Sequence, residues 1–485
     1  MKLINVFHTR IEISPYELGE CRKLENMCSY YDPVRHTRVY VGCMYDEDKE
    51  TLIIPKGINQ MLLHKLFDSI PTNIPLEVPP KHMSDFYKMT LPPRDQTQID
   101  AIKFLSHKDE YAKNGINSQF GLNLDTGVGK TYCMVNSIIQ QNLKTIIICT
   151  KDSIKQQWIN TFLEMSTVPR NKIRDIVGHD DLDNIKKENL EYDYDIFVVN
   201  HQTLSSFIKT EDSNSLDSIF KELGIGIKVY DEAHLCFGSI LNIDMCTDVK
   251  YNYYLTATFG RGDIKEATIY KRAFASLVRY GENIEKRKHT VFNIMYFTSN
   301  ASYGNNIAVQ TNYGFNNYRY WNYCHNVDKD ENIIYVLLKV INKTIEENIE
   351  GKILITSPMI ESADYIYDIL KDKYPDKIVA AIHSKKPKDE NVYYKNHADI
   401  ISTTIKSLGT GDDISGLRVI INLDPHSSPL MTKQLIGRLR EYAPDKDTYF
   451  YDLVDISFKA ITKMIEKRLP TINKICKEVV RYKLF

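Results

Sequence analysis

The chain lacks any Cys-x-x-Cys pair or His/Cys cluster at zinc spacing; its nine cysteines are scattered. That excludes a disulfide framework and predicts a reducing, cytoplasmic setting with no structural metal. It also lacks an apolar run approaching the ~20 residues a membrane helix needs, and residues 1–5 (Met-Lys-Leu-Ile-Asn) do not open a signal peptide. Charge of one sign is missing too. Lys and Arg total 62 against 63 Asp and Glu, a formal charge of −1, so any affinity for nucleic acid must come from local patches rather than a general field.

What is present is a globular composition, 43% hydrophobic and 26% charged. The 485 residues suffice for two or three cores of ordinary domain size. Enrichment in Lys, Asn, Ile and Tyr matches AT-rich codons and points to the genome of a virus or phage, so the cytoplasm expected is a host's.

Two motifs carry the chemistry. In Asp125-Thr126-Gly127-Val128-Gly129-Lys130-Thr131 the glycines let the backbone curl so that N–H groups from Thr126 to Gly129 face phosphate oxygens. A helix starting near Lys130 adds the positive end of its dipole. Lys130 is then placed for the β/γ-phosphates and the Thr131 hydroxyl for Mg²⁺. The full phosphate-loop pattern has a glycine five residues before Gly129, where this chain has Leu124. The second motif is Asp231-Glu232-Ala233-His234, leaving the apolar run Ile225-Gly226-Ile227-Lys228-Val229-Tyr230. A carboxylate at the C-terminal end of a strand is where open α/β sheets bind ligands. Asp231 is the expected Mg²⁺ holder, and Glu232 the residue that orients and polarises the attacking water.

Residues 1–85 alternate like half-buried strands over 7–13 and 37–42, with a third run over 51–55, and predict a small β-rich module for accessory or DNA-binding use. Pro71, Pro75, Pro79, Pro80, Pro92 and Pro93 then crowd a connection that should be extended. From 86 to 283 apolar strands alternate with helical stretches, which predicts a parallel sheet wrapped by helices. A second such set, without a phosphate loop, fills 284–458. The last segment, 459–485, holds Lys459, Lys463, Lys467, Arg468, Lys474, Lys477, Arg481 and Lys483 and predicts a basic C-terminal helix, either a nucleic-acid patch or a solvated face. The aromatic, asparagine-rich stretch 303–323 reads as apolar packing beneath a loop between the lobes, with base stacking as the alternative.

In this order the motifs resemble superfamily-two (DEAH-box-containing) helicases, from about Arg94 to Asp455. The resemblance implies two RecA-like lobes in tandem and an ATP- and Mg²⁺-dependent enzyme. Arg94-Asp95-Gln96-Thr97-Gln98 looks like the segment that contacts adenine, with Gln98 as the reading amide and Gln96 as a fallback. His234, Thr256 and Thr258 (within Thr256-Ala257-Thr258) and Gln434 match residues that couple the nucleotide site to the nucleic-acid track. Thr150 and Lys151, before Gln156-Gln157-Trp158, and Gln202 and Thr203, after Asn200-His201, match track contacts, although Trp158 itself reads as core. In the second lobe Ser357, Thr403 and Thr404 match further phosphate contacts, and Gly411 and Asp413 face the nucleotide. Arg438 and Arg440 match the source of an arginine finger. The family spaces those arginines three apart and this chain two apart, so Arg438 is assigned the γ-phosphate and the role of Arg440 stays open.

Finer features look most like phage branch-migration helicases of the UvsW type, and more distantly like XPB-like and poxviral transcript-release helicases. They imply action on branched or forked duplex DNA, single strands and RNA–DNA hybrids (forks, Holliday junctions, R-loops). An RNA helicase, a transcript-release ATPase and a motor subunit of a larger DNA-processing complex are the rival readings.

Overall fold

The apolar runs of the first α/β segment lie side by side in one sheet of seven parallel strands, in the order Ile173–Ile176, Ile196–Asn200, Thr145–Cys149, Ile227–Tyr230, Tyr251–Thr256, Gln119–Asn123, Val278–Tyr280. Parallel strands need crossovers: helices Gln96–Leu105, Lys130–Gln141 and Asp152–Met165 cover one face of the sheet, and helices such as Gly178–Tyr192, His201–Thr210 and Phe237–Cys246 cover the other. This is why Thr145–Cys149 is buried at every residue. Its side chains alternate between two cores: Ile147 packs with Phe104, Ile138, Trp158 and Phe162, whereas Ile146 and Ile148 pack with Phe197, Phe237 and Tyr254. The computed structural model describes residues 2–32, 36–107, 117–124, 128–210, 213–256, 264–281, 288–312, 314–329, 332–407, 414–439 and 446–484. They form two compact units, 1–284 and 285–485.

The first unit also carries a five-stranded sheet, ordered Met44–Asp46, Thr51–Pro55, Arg10–Ser14, Leu3–Val6, Thr72–Asn73. All its pairings are antiparallel except the last. Ile11, Ile13, Tyr16, Leu24, Leu52, Ile54 and Leu63 form its own core. The expected strand over 7–13 is shifted to Arg10–Ser14, and the one over 37–42 pairs with Ser29–Asp32 in a separate hairpin.

This front sheet is bonded directly to the parallel-sheet body. Thr9 Oγ1 donates to the carbonyls of Asp244 (2.8 Å) and Thr247 (3.1 Å), and His8 meets Asp248 Oδ1 through both its backbone N–H (3.0 Å) and Nδ1 (2.9 Å). Lys56 Nζ donates to Ser118 Oγ at 2.8 Å. A Cβ on Gly57 would stand 2.3 Å from the Ala273 carbonyl oxygen, so only glycine lets the two backbones come this close. The proline-rich connection forms no helix over 74–95, and it is fixed where Ser84 N (2.8 Å), Ser84 Oγ (2.6 Å) and Tyr87 OH (2.6 Å) all donate to the buried Asp195 carboxylate.

The second unit is built on another seven-stranded parallel sheet, ordered Val379–Ile382, Ile400–Thr404, Lys352–Ser357, Leu417–Asn422, Thr448–Asp455, Thr290–Phe297, Glu478–Lys483. Two expectations need correction here. The basic terminal segment is helical only over Lys459–Ile475; Glu478–Lys483 is an edge strand beside Thr290–Phe297. The sheet therefore extends past residue 458. The aromatic stretch is not a loop: it forms helix Tyr303–Ala308, a short hairpin and helix Asn317–Asn326 within this unit. Tyr320, Trp321 and Tyr323 are buried in the core while Tyr303 and Tyr318 are exposed. No helix among the described residues is long and apolar enough to cross a membrane.

Candidate active site

The strand Gln119–Asn123 and the helix Lys130–Gln141 are the two arms of the phosphate-loop turn. Asp125, Thr126 and Gly127 lie outside the described residues. Gly129 caps the helix at φ 93°, a backbone conformation that glycine adopts without steric cost. The buried Lys130 donates from Nζ to the carbonyl of Leu124 at 3.0 Å. Val128 and Thr131 are half-buried.

Gln98 lies against this turn. Its Oε1 accepts from the Arg94 N–H (2.8 Å), its Nε2 donates to the Val128 carbonyl (2.8 Å), and Asp95, capping the helix Gln96–Leu105, accepts from its backbone N–H (2.9 Å). Gln98 thus adjoins the turn and Arg94 is tied to it through Gln98, whereas the fallback Gln96 bonds to Asp100 (2.7 Å). Gln98 keeps a second N–H and a second lone pair for a further partner.

Asp231 and Glu232 leave the strand Ile227–Tyr230 at its C-terminal end, and both are buried. Asp231 Oδ1 accepts from the Glu232 N–H at 2.8 Å and Oδ2 from the Trp158 indole Nε1 at 2.8 Å. Burial, and next the charge of Glu232, push the Asp231 carboxyl above the usual carboxylate range; the Trp158 bond and the Lys130 charge oppose that shift. Glu232 has a left-handed backbone, φ 49°. The same His234 Nδ1 lies 3.2 Å from Glu232 Oε2 and 2.9 Å from Thr256 Oγ1. Glu232, His234 and Thr256 are therefore consecutive links from the carboxylate to the end of the neighbouring strand Tyr251–Thr256. Thr258 lies outside the described residues.

Adjacent strands also bring the expected track residues of this unit to one edge. Thr150 follows Thr145–Cys149, and Asn200 ends the strand paired with it in the register Asn200 to Cys149. Thr150 Oγ1, Asn200 Oδ1, His201 Nδ1 and Ser205 Oγ are buried with no hydrogen-bond partner among the described residues. Lys151, at the start of Asp152–Met165, and Gln202 are exposed, and Thr203 is half-buried.

The second unit divides the expected residues differently. The Ser357 and Thr403 side chains are fully buried; Ser357 Oγ donates to the carbonyls of Met359 and Thr403 (both 3.3 Å) and Thr403 Oγ1 to that of Ile382 (2.6 Å). Both hydroxyls, expected at a phosphate, are bonded within the sheet in this structure. Thr404, at the strand end, bonds Ser407 Oγ at 2.8 Å. Gln434 sits in the helix Pro429–Ile436 and Arg438 in the turn after it, both half-buried. Gly411, Asp413 and Arg440 lie outside the described residues.

That helix is held by a buried polar network the motifs do not reveal. Arg468 donates to Asp452 Oδ2 at 2.6 Å and, at a longer 3.4 Å, to Thr432 Oγ1, which also bonds His426 Nε2 at 3.1 Å. Asp452 Oδ1 accepts from Asn422 (2.7 Å), and Asn422 accepts from Thr356 (2.8 Å). The Trp158–Asp231 bond and this network are what sequence reasoning missed. For Trp158 the only signal was its place in Gln156-Gln157-Trp158.

The chain matches two family models, the Type III restriction enzyme res subunit over residues 89–261 and the helicase conserved C-terminal domain over 332–441. No curated relative matches it by sequence. Among solved structures it is similar to T4 UvsW, at 14% identity over 100% of both chains with a TM-score of 0.37. It is also similar to the DEAD-box helicase Mss116 bound to ssRNA and UDP-BeF (13% identity, 80% of this chain and 75% of that one, TM-score 0.53). A variant of S. cerevisiae Dbp5 bound to RNA and ADP BeF3 is a third (14%, 81% and 94%, TM-score 0.52). At these identities the likeness to Mss116 and Dbp5 is one of fold.

Proposed function

We propose, from the premise that the chain belongs to the superfamily-two helicases and is an ATP-dependent enzyme acting on nucleic acid, that it is a DNA translocase that remodels branched DNA: forks, Holliday junctions and R-loops. The observation that carries the catalytic part is the linked set Asp231, Glu232, His234 and Thr256 at the C-terminal edge of one sheet, with the Lys130 charge felt by Asp231. The branched-DNA part is supported by the motif pattern and by a front sheet bonded to the first lobe. Residues 1–85 are taken as the accessory module, and Lys151, Gln202, Thr203 and Thr404 as track contacts.

Thr131 and Asp231 offer the hard oxygen donors that Mg²⁺ prefers, and each Asp231 oxygen carries one hydrogen bond and so retains lone-pair capacity. When bound, the ion neutralises charge on the β- and γ-phosphate oxygens. Lys130 exchanges the Leu124 carbonyl for a phosphate oxygen. Glu232 accepts a hydrogen bond from the attacking water and turns its lone pair toward phosphorus. His234 and Thr256 fix the carboxylate so that this orientation is set before substrate arrives. Arg438 is the proposed γ-phosphate ligand from the second lobe, a role worth roughly 10³–10⁵ in rate where it operates.

Lys130→Ala and Glu232→Gln should abolish DNA-stimulated ATP hydrolysis, and wild-type turnover in either would sink the assignment. Stimulation by forked DNA should exceed that by single-stranded DNA or RNA; stronger stimulation by RNA would point instead to an RNA-directed motor.

A further inference from the structure

Trp158 stands between two groups of residues with different proposed tasks. Its indole Nε1 donates to Asp231 Oδ2 at 2.8 Å, and both side chains are buried. It is carried by Asp152–Met165, the helix that begins immediately after Thr150 and Lys151. An α-helix rises 1.5 Å per residue, so Lys151 and Trp158 are roughly 10 Å apart along one rigid rod. The helix is also tied to its other neighbours: Lys155 Nζ bonds Asp175 Oδ1 at 2.5 Å, and Asn200 Nδ2 bonds Asp152 Oδ1 at 2.7 Å.

We propose that Trp158 is a positioning residue for ATP hydrolysis: it holds the Asp231 carboxylate in its metal-binding orientation and relays nucleic-acid contact at the start of its helix to that carboxylate. The inference rests on the reading of Asp231 as the Mg²⁺ holder. The contact has the directness this role needs. Core packing requires only the apolar body of the ring, yet here the single polar atom of the indole is spent on one oxygen of a carboxylate whose other oxygen is fixed by the Glu232 backbone. With both oxygens held, the carboxylate plane is defined, and a shift or rotation of the helix moves one of its two holders. Hydrogen bonds to ligating carboxylates are the usual means by which a protein orients a metal ligand.

Trp158→Phe keeps the ring and removes the N–H. In the full chain, the Mg²⁺ concentration for half-maximal ATP hydrolysis should rise by about 10- to 100-fold. Metal-free nucleotide binding should change by less than about twofold, since that interaction is not touched, and stimulation by single-stranded DNA should fall toward the basal rate. An unchanged Mg²⁺ requirement would overturn the proposal. A second measurement leaves Trp158 and its bond to Asp231 unaltered. The chain's two tryptophans are Trp158 and Trp321, so Trp321→Phe leaves Trp158 as the sole indole. Its emission should then shift on adding Mg²⁺ with a non-hydrolysable ATP analogue, and separately on adding single-stranded DNA; no shift with either would also overturn it. Should Lys130→Ala retain turnover, the reading of the site itself fails. Should Lys130→Ala be dead while Trp158 stays silent in both tests, the reading of the site stands and the role proposed for Trp158 fails.

Discussion

Gly129 illustrates how little freedom the phosphate turn has at a single residue. At φ 93° a side chain is strained, and a Cβ would lie 2.6 Å from Gln98 Nε2. Gly129→Ala should lower stability by about 1–3 kcal/mol and displace Gln98 from the Val128 carbonyl, weakening ATP binding. Thermal melting and nucleotide titration check the two effects separately. Asp424 gives a second prediction at this scale. Burial pushes its carboxyl up to about 6, against the opposing Asn317 hydrogen bond and the Lys406 charge. Between about pH 4 and 6 the folded chain holds a proton that the unfolded chain, with its ordinary aspartate, has released. Stability from this group is therefore fully present below pH 4 and lost as pH rises through 6. Asp424→Asn should flatten that slope and stabilise the protein by about 1–2 kcal/mol at pH 7, readable in urea melts from pH 4 to 7.

Among elements, the helix Lys459–Ile475 has the clearest energetic role, because its Arg468 neutralises the buried Asp452. Arg468→Met leaves a buried charge without its partner and should cost about 3–5 kcal/mol, whereas Arg468→Met with Asp452→Leu should recover most of it. Equilibrium unfolding of the two variants decides. The neighbouring elements show what a sequence can and cannot disclose. The strand Thr145–Cys149 was legible because burial on both faces demands a nearly unbroken apolar run. Glu478–Lys483 was not, because an edge strand exposes one side and is dressed with charge, the same composition as a solvated helix face. The asparagines of 303–323 look like loop residues, yet Ser302 with Asn305 forms a capping box and Asn316 accepts from the Arg319 N–H; they start helices rather than interrupt them. At the site, Asp231 and Glu232 were readable as a strand end followed by acid. The bond to Trp158 spans 73 residues and depends on which helix lies over which strand, information no local pattern contains.

For the whole molecule, a formal charge of −1 leaves no general field to draw in a polyanion, so binding to nucleic acid should depend on a few direct phosphate contacts. The affinity should fall with salt along a shallow line. Lys151→Ala, removing one exposed cation beside the strand ends, should reduce the slope of log affinity against log salt by about 1 without altering sequence preference. Fluorescence anisotropy at several salt concentrations measures it.

The seam between the front sheet and the first lobe also has a mechanical meaning. Thr9, His8, Lys56 and the close approach at Gly57 weld the two together without a flexible tether. The front sheet should therefore move with the first lobe. A duplex gripped there would be carried through the same displacement as Lys130 in every cycle, like a blade fixed to the arm that drives it.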